Sequence, residues 1–164
     1  MVLVISFGQI LRRDFLELPP LGCINIHASL LPRYRGASPI TQCILNRDAE
    51  TGICFMKMER GLDTGPVYSS VRVPLDHREY CEMLEMKLGV IAAEVTPGTL
   101  CAIAAGELEP EPQDDTAATV CTKIRKSDGK INWSLSADDI EAMVRAYYPW
   151  PGASCTLLLS LIHI

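Results

Sequence analysis

The sequence predicts an α/β domain built on a mainly parallel sheet. Apolar runs rich in β-branched residues stand at 2–7 (VLVISF) and 22–27 (GCINIH), and helix-periodic segments alternate with strand-like ones. Continuous apolar runs of this length are typical of strands buried on both faces of a parallel sheet. Hydrophobic residues make up 48% of the 164 residues and charged residues 21%, so the chain can bury a core. This composition excludes a disordered tail, a collagen and a coiled coil.

The first elements follow this alternation. After the strand at 2–7, an amphipathic segment at 10–18 ends at two prolines, which stop a helix. The strand at 22–27 leads through a loop at 28–37 to a helix over 39–46. Its Ser-Pro start is typical of an N-cap followed by the first helical position.

The middle of the chain predicts two strands and a helix that covers them. The segments 52–58 and 66–73 are strand-like, and they flank a loop, ERGLDTG at 59–65, whose two glycines permit a backbone that other residues resist. A helical pattern begins at Asp76. The Pro-Gly pair at 97–98 predicts a break, with a second helical piece beyond it.

An acidic segment predicts a domain boundary. Residues 106–115 (GELEPEPQDD) combine five acidic residues with two prolines and cannot bury much, so we expect an extended connector. The predicted domains are then 1–105 and an incomplete second domain at 116–164. In the second domain, Ser136 is a candidate cap for a helix that ends before Pro149.

Charge, cysteine content and apolar segments bound the class of protein. A net charge of −5 argues against binding nucleic acid through bulk positive charge and leaves room for a local basic patch. The seven cysteines are widely spaced and never in a Cys-x-x-Cys pair, so we expect reduced thiols. The N-terminal segment lacks the features of a secretory signal, and the terminal TLLLSLIHI is too short to span a bilayer. These observations predict a cytoplasmic protein without a membrane partner.

Three polar residues are candidates for chemistry. Asn25 and His27 stand two apart at the end of the second strand, where open parallel sheets place their ligands. Asp63, in the glycine-containing loop, supplies a carboxylate that can orient and charge the imidazole if the fold brings them together. An amide, an imidazolium and a carboxylate suit acyl transfer without a nucleophilic side chain. An alternative remains open. The side chains of Asn25 and His27 would then only bond to backbone groups of nearby loops, and Asp63 would cap a turn.

Three longer strings resemble a known family in the same order. GCINIHASLLPRYRGASPI, ETGICFMKMERGLDTGPV and INWSLSADDIEAMVRAYYPWPGA are similar to the methionyl-tRNA formyltransferases of the folate-dependent formyltransferase family, from about Val2 to Thr156. The resemblance implies a partial Rossmann-like formyltransferase domain, followed by the start of a C-terminal OB-like β-barrel domain. The chain opens inside a core strand, so we expect a polypeptide truncated at both ends and unstable by itself.

The resemblance also implies roles for individual residues. The family's Asn-x-His and Asp match Asn25, His27 and Asp63 as the catalytic residues. Folate-contacting positions are implied at Ser29, Leu30, Leu31, Pro32, Gly8, Gln9, Ile10 and Leu11. The implied reaction transfers a formyl group from 10-formyltetrahydrofolate to the methionine amine of initiator Met-tRNA, without a metal, in a protein that is a monomer when full length.

Other functions share part of this pattern. UDP-amino-sugar formyltransferases and the hydrolase-like domain of formyltetrahydrofolate dehydrogenase have the same three polar residues, whereas RAYYPWPGA and INWSLSA favour the tRNA enzyme. A non-catalytic folate-binding fragment would not need all three. Arg33 and Arg35 either attract anionic substrate groups or pair with nearby acids. A basic cluster either touches the tRNA backbone or forms an exposed turn; its members are Lys123, Arg125, Lys126 and Lys130.

Overall fold

Strands and helices alternate along most of the chain. The computed structural model describes residues 1–9, 11–157 and 160–163. In chain order the elements are β1 (Val2–Ile5), α1 (Arg13–Leu16), β2 (Cys23–His27), β3 (Arg35–Gly36), α2 (Pro39–Leu45), β4 (Glu50–Lys57), β5 (Val67–Pro74), α3 (Cys81–Ala105), β6 (Val120–Cys121), α4 (Ala137–Ala146), β7 (Ser154–Leu157) and β8 (Ser160–His163). The predicted α/β class is confirmed.

The main sheet has the strand order β1-β2-β4-β5. β1 and β2 are parallel, whereas β2–β4 and β4–β5 are antiparallel. The described sheet is therefore mixed, and the expectation of a mainly parallel sheet is wrong for it. One reason is that the loop between β4 and β5 is shorter than the crossover that parallel neighbours need.

The C-terminal region contains a separate antiparallel pair. β7 and β8 align Ser154 with His163 and Leu157 with Ser160. The barrel that the family resemblance implies for this region stays a prediction.

The core lies between the sheet and the helices α2 and α3. Ile24 of β2, Phe55 of β4 and Leu84 of α3 are completely buried in it. Removing such a side chain from water contributes about 1.5–3 kcal/mol each. Cys121 and Ala146, from beyond the predicted boundary, belong to the same cluster. The later part of the chain thus packs against the earlier part, and the division into two domains remains a prediction.

α3 runs without interruption through Pro97, so the predicted break is wrong. Proline has no N–H to donate to the preceding turn. Two flanking hydroxyls bond to carbonyls there: Oγ1 of Thr96 donates to the Ala92 carbonyl at 2.6 Å, and Oγ1 of Thr99 to the Val95 carbonyl at 3.0 Å. The carbonyl that Pro97 leaves without a helical donor is that of Ala93, so these bonds are additional to the helical pattern and do not replace the missing one. The helix begins at Cys81, later than the apolar pattern predicts.

One face of α3 is buried and another is open. Leu84 and Leu88 pack in the core, while Met83, Met86 and Val90 are exposed. The helix has 25 residues, most of them apolar, and little of its apolar stretch is buried. By length and composition alone it is able to cross a membrane. Its buried leucines instead tie it to the sheet, and the absence of a membrane partner stays a prediction.

The helix starts differ in how they are capped. In α4, the Ser136 hydroxyl accepts a hydrogen bond from the Asp139 N–H at 3.1 Å, which confirms the predicted cap. α2 begins at Pro39 as predicted, but the Ser38 hydroxyl donates to the Thr122 carbonyl at 2.8 Å and does not cap the helix. α1 is much shorter than the predicted segment 10–18.

Candidate active site

Asn25, His27 and Asp63 line one cavity of about 560 Å³. Asn25 lies in the middle of β2, His27 is its last residue, and Asp63 lies in the loop between β4 and β5. β4 runs antiparallel to β2 and ends with Lys57 beside Ile24, so the loop at 58–66 starts away from His27. Contacts of the Asp63 carboxylate with His27 and with the Gly36 N–H hold this part of the loop at the site. The fold thus assembles the three residues that the sequence singled out.

Both ring nitrogens of His27 face hydrogen-bond acceptors. The Ser29 hydroxyl donates to the Arg33 carbonyl at 2.7 Å, so it accepts from Nδ1–H of His27 at 3.0 Å. Nε2 lies 3.2 Å from Oδ2 of Asp63 and 3.4 Å from the Gly36 carbonyl. A ring that has acceptors on both sides is suited to carry two protons. The buried imidazole thus has a hydroxyl acceptor on one side and a carboxylate on the other.

Asp63 is held as a carboxylate by its surroundings. Its Oδ2 accepts the Gly36 N–H at 2.7 Å. Burial acts to raise the pKa of Asp63, but the hydrogen bond and charge of His27, the Gly36 N–H and the charge of Arg35 outweigh it, and the net effect lowers that pKa. The carboxylate thus bonds across the fold instead of capping its own loop.

The sequence predicts that the two glycines of the loop at 59–65 take up its unusual backbone conformation, and the structure differs. Asp63 itself has a positive φ of 51°, a conformation that aspartate adopts more readily than most residues. Gly65 is needed for close packing, because a Cβ there would lie 1.8 Å from the Lys57 carbonyl oxygen. The left-handed position in this loop is thus Asp63 itself, the candidate catalytic residue.

Gly36 is a site residue that the sequence reasoning missed. Its φ is 115°, and a Cβ would lie 2.3 Å from the Cys121 carbonyl oxygen. β3 pairs with β6 here, aligning Gly36 with Cys121. The only available sequence signal was a glycine beside an arginine in a loop, which did not predict a strand.

The positions implied for folate divide into two groups. Gly8, Gln9 and Leu11 line the cavity with Asn25, His27 and Asp63. Ile10 lies outside the described residues. The cavity lining, as far as the structure describes it, does not include Ser29, Leu30, Leu31 or Pro32.

The Ser29–Pro32 segment lies outside the described lining of the cavity and supports His27. Ser29 is buried and holds His27. The Leu31 N–H donates to Sγ of Cys54 at 3.4 Å, and the Pro32 carbonyl accepts from the Thr119 N–H at 3.2 Å. Direct contact of this segment with folate stays a prediction.

The two arginines that follow this segment pair with acids. Nη2 of Arg33 donates to Asp48 at 2.9 Å, and Nη2 of Arg35 donates to Asp115 at 2.7 Å. Tyr34, between them, also donates to Asp48 at 2.6 Å. Burial, followed by the bond to Asp48, raises the pKa of Tyr34 to about 12. Of the two interpretations left open for these arginines, the structure shows the acid-paired one.

The basic cluster Lys123, Arg125, Lys126 and Lys130 is exposed around a 3-10 turn at Lys126–Gly129. The Arg125 N–H donates to Asp128 at 2.8 Å, so part of this turn bonds within itself. Contact with tRNA stays a prediction.

The cysteines form no disulfide. All seven are free, and burial raises the pKa of Cys43 and of Cys54 to about 11, which keeps these thiols protonated and unreactive. Among the residues that the structure describes, no group of three or more His, Cys, Asp or Glu side chains is placed to bind a metal ion.

Two family models match the chain. The formyl transferase model matches residues 1–100, and the model of the formyl transferase C-terminal domain matches residues 123–162. The methionyl-tRNA formyltransferase of Pelobacter propionicus is 42% identical over 96% of this chain and 49% of its own length. The chain thus spans about half the length of the curated relatives it matches.

Solved structures share the fold at low sequence identity. The methionyl-tRNA formyltransferase from Clostridium thermocellum superposes with a TM-score of 0.77 at 19% identity, covering 98% of this chain and 69% of the other. A sugar 3N-formyl transferase solved in the presence of dTDP and 5-N-formyl-THF gives a TM-score of 0.80 at 20% identity, over 98% of this chain and 58% of the other. At these identities the likeness shows the fold alone.

Proposed function

The chain belongs to the formyl transferase family, and from this premise we propose that it transfers a formyl group from 10-formyltetrahydrofolate to the methionine amine of initiator Met-tRNA. The observation that carries the proposal is the pairing of His27 Nε2 with Asp63 Oδ2 at 3.2 Å, on a cavity that Asn25 also lines. The name of the Pelobacter relative supports the choice of acceptor.

His27 and Asn25 act on the oxygen of the formyl group. The methionine amine attacks the formyl carbon, a C–N bond forms, and the carbonyl electron pair moves to oxygen. The Asn25 amide then donates a hydrogen bond to this oxyanion, and so does Nε2–H of His27, which exchanges its long contact with the Gly36 carbonyl at 3.4 Å for the oxyanion while it stays beside Asp63. Donors fixed in place before the reaction stabilise such a charge strongly, because they need no reorganisation when it develops.

Asp63 directs the protons. The attacking nitrogen loses a proton, and N10 of the folate must gain one before the C–N10 bond breaks and tetrahydrofolate leaves. Asp63, ionised at neutral pH, holds the charge of His27 and accepts and returns this proton. Atoms and charges balance without a metal ion.

The volume of the cavity is suited to a small molecule such as a folate. Its volume of about 560 Å³ lies within the range of roughly 300–1,000 Å³ of small-molecule sites. Gly8, Gln9 and Leu11 would contact the pterin, together with Ile10, and the wall formed by Ser29–Pro32 would shape the folate pocket.

The surrounding assignments complete the proposal. The protein works in the cytoplasm as a monomer, with a catalytic domain at 1–105, a connector at 106–115 and a second domain from 116 onwards. Lys123, Arg125, Lys126 and Lys130 of the second domain contact the tRNA backbone, which their exposure permits.

A comparison of two formyl acceptors tests the proposal. The complete gene product that contains this chain is incubated with 10-formyltetrahydrofolate and, in separate reactions, Met-tRNA or a UDP-amino sugar. We expect formylated Met-tRNA and no formylated sugar. Transfer to the sugar alone, or only hydrolysis of the folate, would contradict the assignment.

A further inference from the structure

A side chain from the acidic connector holds the loop that carries Asp63. Nε2 of Gln113 donates to the Asp63 carbonyl at 2.9 Å and to the Gly65 carbonyl at 2.6 Å. One amide group therefore fixes the backbone on both sides of Thr64. The rest of the connector is mostly exposed, so this inward contact stands out from its surroundings.

The other end of the same carboxamide is fixed as well. Nε of Arg35 donates to Oε1 of Gln113 at 2.9 Å, and Nη2 of Arg35 is paired with Asp115. Arg35 is only 6% exposed. A guanidinium can only donate and carbonyls can only accept, so the Gln113 amide has one orientation that satisfies all three bonds.

The contacts converge on Asp63 from two directions. Gly36, next to Arg35 in β3, donates its N–H to the Asp63 carboxylate at 2.7 Å. Arg35 also orients Gln113, which holds the Asp63 backbone. Asp63 is thus fixed through its side chain by Gly36 and through its main chain by Gln113.

We propose that Gln113 is a positioning residue for formyl transfer, which sets the distance between Asp63 and His27 through its bonds to the Asp63 and Gly65 carbonyls. The kinetic consequence rests on the proposed function. The structural consequence, the position of Asp63 relative to His27, does not. Asp63 needs such a support because it stands at a positive φ in a loop rather than in a regular element.

Glutamate at position 113 separates positioning from packing. Gln113→Glu keeps the shape and the acceptor for Arg35 but loses both donors to the loop carbonyls. Gln42→Glu is the matched control, because the Gln42 amide bonds to Asn46 on the surface of α2. Gln113→Ala is the second variant, to be used if the glutamate variant fails to fold.

The first measurement is steady-state kinetics on the complete gene product. In Gln113→Glu we expect kcat to fall about 10- to 100-fold, as displaced catalytic groups do, with the KM values changed less than about threefold. Gln42→Glu should match the unmodified protein. A Gln113→Glu variant with unchanged kcat, or with a lower Tm as its only change, would overturn the proposal.

The second measurement needs no activity. The NMR resonance of the His27 Nε2–H proton reports its hydrogen bond to Asp63, and Asp63→Asn gives the reference for a weakened bond. We expect the resonance in Gln113→Glu and Gln113→Ala to shift toward the Asp63→Asn position. An unmoved resonance contradicts the positioning role. A shifted resonance in a protein that does not formylate Met-tRNA refutes the proposed function alone.

Discussion

At the scale of single residues, the site is an ion pair inside a frame of backbone groups. His27 is held by Ser29 on one side and by Asp63 on the other. Asp63 is held in turn by the Gly36 N–H. Each functional side chain therefore depends on a neighbour that does not itself take part in the chemistry.

Removal of either partner of the pair should disable formyl transfer. His27→Ala deletes an oxyanion donor, and Asp63→Ala deletes the group that keeps it charged. Loss of one such donor typically costs about 3 kcal/mol, so we expect kcat to fall about 100- to 1,000-fold in each variant of the complete gene product. Circular dichroism should show an intact fold. Near-normal turnover in either variant would remove the role given to that residue.

The Asp63 carboxylate should also make stability depend on pH. The folded state lowers its pKa, so its contribution to stability is fully present above the unfolded pKa of about 3.9 and is lost as pH falls through the folded pKa. The difference in unfolding free energy between the unmodified protein and Asp63→Asn should therefore shrink as the pH falls from about 5 to below about 4. A difference that grows on acidification would show that the sign is wrong.

Gly36→Ala should damage both fold and site. The new methyl group would meet the Cys121 carbonyl oxygen at 2.3 Å, at a φ that alanine rarely adopts. We expect a lower midpoint of urea unfolding and a loss of activity larger than the loss of stability explains, because Gly36 also holds Asp63. Gly89→Ala on α3, where a Cβ meets nothing within 4 Å, is the control and should not be destabilised.

At the scale of elements, α3 shows that tertiary packing overrides local preference. Pro97 and Gly98 predict a break, yet the helix continues through both. Leu84 and Leu88 lie before the proline and Ile103 after it, and all three are buried. Burial at both ends therefore stabilises one continuous helix.

Replacement of this proline should stabilise the protein. Proline costs about 3 kcal/mol more than alanine in a helix interior, because it lacks the N–H that would bond to the Ala93 carbonyl. Pro97→Ala should therefore raise the free energy of unfolding by up to about 3 kcal/mol, and Gly98→Ala by about 0.5–1 kcal/mol. Urea unfolding of the two variants measures both changes. A destabilised Pro97→Ala variant would contradict this expectation.

At the scale of the whole molecule, one surface of the first part of the chain is covered by the C-terminal part, whereas another is exposed and apolar. The C-terminal part packs onto the first part, through β6 against β3 and through Ala146 in the shared core. In contrast, β1 stands at the edge of the described sheet, and Ile5, Met83 and Met86 are exposed. An unpaired edge strand and exposed apolar side chains favour association.

Residues 1–164 expressed alone should therefore associate. We expect ANS binding and elution in size-exclusion chromatography at more than the mass of a monomer. The double variant Met83→Lys with Met86→Lys should reduce both signals, and Arg125→Glu, in the exposed turn, should not. A soluble 164-residue monomer that does not bind ANS would show that the exposed apolar surface is harmless.

The sequence by itself determined the α/β class and most strands and helices, because these follow from local periodicity. It also singled out Asn25, His27 and Asp63 as candidates, through residue types that suit acyl transfer and through the family resemblance. Only the tertiary structure decided the mixed sheet, the continuous α3, and the parts played by Gly36, Arg35 and Gln113. Those features arise from contacts between segments far apart in the chain. No local pattern in the sequence encodes which distant carbonyl a given amide will meet.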